Sequence, residues 1–341
     1  PNRPVRKEFR NVSSPRSNVD ARGAGIMVVL CAVLGLHQVV IKLAAPDIAP
    51  ILQIALRSGL SALLLILWML WRRERFDLGG ATLPAGLLVG TVFAVEFIFV
   101  AEGLRFTTAS HMAVFLYTAP IFTALALHLL LPAERLRRHQ WLGIALAFLG
   151  IVAAFAGGLL HTGIDRQLLW GDCLAVLAGV AWASTTVIIR CSKLADAPAT
   201  RTLLYQLIAA CVLLLGYAGL SGQAGRFSLT PRAWGSILFQ GVVITFAVYL
   251  AWFSLLRRYH ASQLSVFLFM TPLFGVSFGV LILHDPIDRS FALGSLLVLG
   301  GLALVGNPRL GRSKAEQPRP ATGPATGAAA APAAGSPRRP E

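Results

Sequence analysis

The chain has 341 residues, 56% hydrophobic and only 13% charged, with a mean hydropathy of +0.69. A soluble domain carries about 25% charged residues, so this sequence cannot clothe itself in polar surface, and a bilayer is the solvent that fits it. The formal net charge is +15, but the basic residues sit in short clusters between apolar runs rather than in one patch, which excludes a nucleic-acid partner and reads instead as topology signals.

A helix needs about 20 apolar residues to cross the hydrocarbon core. Ten runs meet that length, at 24–44, 49–71, 82–103, 108–130, 139–157, 168–190, 200–220, 232–256, 262–283 and 288–306. The first 23 residues read as a basic cytoplasmic tail without packed structure, and no removable signal peptide is expected there. Residues 307–341 are Ala/Pro/Gly-rich and read as a second disordered cytoplasmic tail. Cys31, Cys173, Cys191 and Cys211 stand singly, with no CxxC or Cys/His spacing. Neither disulfide, metal nor cofactor is expected.

Charge sets the predicted orientation. The two tails and alternate loops carry 23 Lys and Arg residues on one side of the membrane, against five on the other: Arg105, Arg166, Arg226, Arg232 and Arg289. By the positive-inside rule both termini are cytoplasmic.

The run Ala109–Phe122 returns 152 residues later as Ala261–Phe274, identical at seven of fourteen positions, including Pro120 and Pro272. Gly143 and Gly150 have counterparts in Gly294 and Gly301, at the same spacing of seven. Five runs per half is an odd number, so the second half must enter the membrane from the opposite side. The expected fold is therefore an all-α integral membrane protein of ten transmembrane helices, arranged as two inverted five-helix repeats over 24–157 and 168–306.

Few polar groups lie inside these runs, and each is costly in lipid. Glu96 reads as a proton site, a partner for a substrate amine, or a neutral acid packed between helices. Glu102 reads as a wet rim residue. Arg57 either holds a substrate carboxylate or ties its helix to a neighbour, and Lys42 snorkels to the interface. His37 and Gln38 lie mid-helix; His111 and Gln263 occupy equivalent repeat positions, as polar lining of a shared path or as interhelical hydrogen bonds. Tyr117, Trp182, Tyr249, Trp252 and Phe267 are candidates for an aromatic cavity wall that accepts apolar solutes or stacks on cations. Pro120 and Pro272 each remove a backbone hydrogen bond and are candidate hinges. Hydrolase elbow, P-loop, HExxH and haem spacings are all absent.

The stretch TTASHMAVFLYTAPIFTALALHLLLPAERL, followed by QWLGIALAFLGI, resembles the EamA branch of the drug/metabolite transporter superfamily, and so do Gly171-Asp172, Ala181-Trp182-Ala183 and Arg190 in the second half. The resemblance covers 24–306. It implies ten helices in two inverted repeats around a central cavity, and export or import of amino acids, related metabolites or drugs. Its flavour is that of amino-acid and aromatic amino-acid exporters. One departure is Leu34, where members often carry a Trp matching Trp182. The resulting expectation is a secondary transporter in a bacterial inner membrane, moving a small-molecule substrate by alternating access, with lipid around it and a proton as candidate coupling ion. A membrane-embedded enzyme and a channel-like facilitator are the rivals; the sequence is silent on oligomeric state.

Overall fold

A computed structural model describes residues 19–74, 78–131, 135–160, 166–228, 230–259, 264 and 267–305. Among them the chain is helical almost throughout. Helices α1 (Ala21–Ala44), α2 (Pro50–Trp71) and α3 (Leu83–Phe106) are followed by α4 (Ala109–Leu116) and α5 (Ala119–Leu130), then α6 (Arg138–Leu160). The second half holds α7 (Arg166–Arg190), α8 (Ala199–Leu220) and α9 (Pro231–Leu238), which runs through a π-helical segment (Phe239–Ala247) into α10 (Val248–Arg258). The chain ends in α11 (Met270–Leu283) and α12 (Arg289–Val305). Among the described residues, seven helical stretches are long and apolar enough to cross a membrane, and three shorter ones, Arg138–Ala154, Met270–Leu283 and Arg289–Val305, are apolar as well.

Local sequence explains where elements begin and break. Asp20 caps α1 by accepting the Gly23 amide at 2.7 Å, and Thr108 and Thr230 cap α4 and α9 by accepting the amides of His111 and Ala233. Pro50 and Pro231 open their helices at the position where a missing amide costs nothing.

The run expected as one helix over 108–130 is two. The chain turns at Tyr117–Thr118, and Pro120 sits in the first turn of α5. A proline there cannot donate to Leu116, and just before it the Thr118 hydroxyl and amide both donate to the Phe115 carbonyl, at 2.6 and 3.2 Å, closing a tight turn. The second copy turns at Leu268–Phe269, with Pro272 in the first turn of α11. In each copy the regular helix is interrupted one turn or less before the proline, while Ala109–Leu130 still forms one apolar stretch of membrane-spanning length.

Packing relates the halves. α6 lies along α12 and α2 along α8, each pair joining equivalent helices of the two repeats, and α4 packs on α11, the counterpart of α5. α1 packs on α11 just as α7 packs on α4 and α5. Leucine and tryptophan side chains, among them Trp71, Leu129, Leu149, Leu220, Leu281 and Leu296, form an exposed outer shell. Such a shell suits acyl chains and would be costly in water. α1 starts at one end of the bundle, the terminal end, and stops at the opposite, far end.

Candidate functional site

Polar residues are scarce in the bundle and fall into three groups along its axis. At the far end they are closed on one another. Asp172 on α7 accepts from the Thr107 hydroxyl and lies 2.9 Å from Nδ1 of His111. The His111 ring stacks on Phe291, with centroids 3.8 Å apart and planes 7° from parallel. The neighbouring Ser110 donates its amide and its hydroxyl to Asp285, at 2.9 and 2.8 Å. Two carboxylates of the second half thus hold the start of α4, where the helix dipole favours negative charge. Across the bundle, the Ser236 hydroxyl and the Gln240 amide both donate to Oε1 of Gln53, and Asp47 accepts from Thr230. Gln223 donates to Glu102, which also pairs with Arg105.

Lys42 departs from the snorkelling expected of it. Its ammonium turns inward and donates at 2.6 Å to the carbonyls of Leu104 and Thr107, satisfying the open end of α3.

The middle group is built differently. His37 and Gln38 on α1, Arg57 on α2, Glu96 on α3 and Gln240 in the π segment are all buried. Nε2 of His37, Oε1 of Gln38, Nε and Nη2 of Arg57, Oε2 of Glu96 and Oε1 of Gln240 have no protein partner. Nη1 of Arg57 donates to the Thr245 hydroxyl at 2.8 Å, and its guanidinium lies 4.5 Å over the Phe97 ring. Phe97 meets Phe93 edge-on at 4.8 Å and His37 edge-on at 6.5 Å. The π segment makes this possible. Its wide turn brings Gly241 so near α2 that a Cβ would lie 2.8 Å from Leu60, and Ser61 donates to the Gly241 carbonyl at 3.1 Å. That approach presents Gln240 and Thr245 to α2; π turns of this kind recur at functional sites.

Toward the terminal end the group is aromatic. Tyr117 meets Trp182 edge-on at 5.3 Å. Trp252 and Phe267 pack on the α1 cluster around Met27 and Cys31, and the Cys31 thiol donates to the Phe267 carbonyl at 3.1 Å. Tyr249 stands apart, with Trp68, Arg72, Glu74 and Thr200 in the lining of a cleft of about 740 Å³ between the end of α2, the first turns of α10 and the start of α8. Gln263 lies outside the described residues.

Of the residues singled out from sequence, His37, Gln38 and Glu96 are therefore brought together, while His111 joins the far-end group and Tyr249 the cleft. Sequence reasoning gave Arg57 no place among the cavity residues and passed over Gln240. A charged residue two turns inside an apolar helix is a legible signal for the first; a single Gln between Phe239 and Gly241 gives little for the second.

Comparison with known proteins matches this architecture. A transporter of Bacillus subtilis, YoaV, which is uncharacterised, is 24% identical over 277 residues, covering 81% of this chain and 94% of its own. Proteins named probable amino-acid metabolite efflux pumps are similar too: that of Salmonella typhimurium is 26% identical and that of Escherichia coli 24%, each alignment covering 83% of this chain and 94% of the relative. A solved crystal structure superposes with a TM-score of 0.57 at 17% identity, covering 84% of this chain and 98% of that one, which marks a shared fold. Residues 22–156 and 169–307 each match the EamA-like transporter family. With both halves matched in a two-repeat helical membrane architecture, the chain belongs to that family.

Proposed function

We propose that the protein is a secondary transporter that carries a small organic solute, an amino acid or related metabolite, out of the cell by alternating access between its two repeats. The observation that carries this reading is the middle polar group. Six unpartnered polar atoms from four separate elements converge in an otherwise apolar bundle, and each costs about 1–3 kcal/mol unless a ligand or water meets it. Relatives named as amino-acid metabolite efflux pumps support the solute class.

In this reading both termini lie in the cytoplasm and the terminal end faces it. The solute meets His37, Gln38 and Glu96, then passes the aromatic group of Tyr117, Trp182, Trp252 and Phe267. The interruptions before Pro120 and Pro272 serve as hinges, since both fall near the middle of the matched apolar runs 108–130 and 262–283. The test is uptake and efflux by purified protein in liposomes, against a panel of amino acids and metabolites, at two pH values with and without a proton gradient. Saturable, vectorial flux of at least one solute is expected. Flux that never saturates would favour a channel, and no movement of any solute would refute the assignment. Acceleration by the gradient identifies the proton as coupling ion; indifference to it identifies facilitated diffusion.

A further inference from the structure

Two buried ionisable groups of opposite type stand in the middle of the bundle, each with side-chain atoms that no protein group meets. Arg57 is 3% exposed and Glu96 is 5% exposed. They are near enough to interact electrostatically, yet the carboxylate keeps Oε2 unpartnered and the guanidinium keeps Nε and Nη2 unpartnered. An ion pair formed for structure alone would spend these atoms on one another, because a buried charge left without hydrogen bonds is strongly unfavourable. Thr245 and the Phe97 face hold the guanidinium from one side. This fixes the direction in which its two remaining donors point.

We propose that Arg57 and Glu96 are the two poles of the solute site, the guanidinium receiving a carboxylate and Glu96 receiving an ammonium group. The ligand class is a free α-amino acid, in which the two groups are separated by a single carbon. A simple anion would answer Arg57 and leave Glu96 bare; a simple amine would do the reverse. Only a zwitterion satisfies both and enters the apolar bundle with no net charge. Phe93, at van der Waals reach of Phe97, offers an apolar surface beside the poles for an uncharged side chain. Arg57 suits its role because a planar fork binds a carboxylate through two parallel hydrogen bonds.

This inference rests on the transporter reading above, and matched probes separate the two. Transport by the purified full chain in liposomes is measured for phenylalanine, phenylethylamine and 3-phenylpropionate, and for alanine, ethylamine and propionate. Within each set only the charged groups change. Wild type is expected to prefer the amino acid by tenfold or more in kcat/KM over both analogues, since a site built to bind a polar group rejects the ligand that lacks it. Arg57→Gln should lose the advantage of the amino acid over the amine, and Glu96→Gln its advantage over the acid, while Arg57→Lys keeps part of the wild-type ranking. A purely structural pair would lower flux of every probe together without reordering them. Wild type that carries the amine or the acid as well as the amino acid overturns the proposal with no variant needed, as do folded variants that keep the wild-type ranking. Wild type that moves none of the panel overturns the transporter reading itself.

Discussion

The contact between α6 and α12 gives the sharpest test of the packing. The two helices meet backbone to backbone through glycines, each of which faces a carbonyl of the other helix. A Cβ added at Gly294 would lie 2.5 Å from the Gly150 carbonyl oxygen and 2.7 Å from both the amide and the Cβ of Ala154. One added at Gly150 would lie 2.6 Å from the Gly294 oxygen. Carbon and carbonyl oxygen sit comfortably at about 3.3–3.6 Å, so Gly294→Ala requires the helices to part by roughly 1 Å, and no flexible side chain can absorb the change. Overpacking of this kind costs about 1–3 kcal/mol. Alanine returns up to about 1 kcal/mol of helix propensity, which leaves a net loss on the order of 1–2 kcal/mol. Gly300, on the same helix, is the control. Its added Cβ would meet only Leu146, at 3.5 Å, so Gly300→Ala keeps the propensity gain and should be neutral or slightly stabilising. The double variant Gly150→Ala/Gly294→Ala should cost less than the two singles summed, because both insert into one gap. Thermal unfolding of the detergent-purified protein, followed by tryptophan fluorescence, reads all four. If Gly294→Ala melts with or above Gly300→Ala, this close packing is wrong.

Other expectations follow from single contacts. Asp172→Ala strips the acceptor from the Thr107 hydroxyl and the His111 ring, at about 1–3 kcal/mol for each buried donor; it should lower the melting temperature and raise the labelling rate of a cysteine placed at Ser110, and an unchanged rate would mean that this pair does not hold the far end. Lys42→Met keeps the apolar stem but uncaps the end of α3, and should cost about 1–3 kcal/mol in the same assay. At the terminal end, the Gly23 amide and then the Tyr259 hydroxyl hold the Asp20 carboxyl below its ordinary 3.8, and that bond to Asp20 raises the Tyr259 hydroxyl above its ordinary 10.0. The carboxyl's contribution is present above pH 3.8 and is lost as pH falls through the lowered value; the tyrosine's is present below pH 10.0 and is lost as pH rises through the raised one. Tyr259→Phe should remove the alkaline loss and shrink the acid one in a plot of melting temperature against pH, and a profile identical to wild type would refute the link.

Much of this was legible because lipid forbids so much. A polar residue in an apolar run needs a reason, so His37, Gln38 and Glu96 could be picked out singly before anything placed them together. The repeat was legible because Pro120 and Pro272 interrupt runs where proline is conspicuous. What the prolines do was not, since the local turn also depends on neighbours such as Thr118, whose hydroxyl takes the Phe115 carbonyl. The π segment has no proline and no composition of its own, so the presentation of Gln240 and Thr245 to α2 was hidden. Asp172 and His111 lie 61 residues apart, and only the packing of α4 on α7 makes them a pair. Arg57 shows the same limit from the other direction. Sequence offered a helix tie and a carboxylate contact as alternatives; the structure shows one nitrogen tied to Thr245 and two without a protein partner, which leaves room for both in the site proposed above.

The two repeats also disagree in one place, and the disagreement has a direction. Most helix contacts have a counterpart in the other half, as α1 with α11 has in α7 with α4 and α5. The contact of α3 with α7, among the most extensive in the bundle, corresponds to that of α9, the π segment and α10 with α1, which is slight along α9 and the π segment and is made at the other end by Val248, Trp252 and Leu255 against Met27 and Cys31. Equivalent surfaces from related sequences should pack alike if the molecule had a single resting arrangement symmetric between its ends. They do not, and the α3–α7 contact is held at the far end by the link from Thr107 to Asp172. In the alternating-access reading proposed above, the partner state exchanges the two contacts: α1 closes on α9 and the π segment while α3 parts from α7. Arg57 and Glu96 are carried by α2 and α3, between the two changing contacts, so a solute held by both would meet either end in turn without leaving its site.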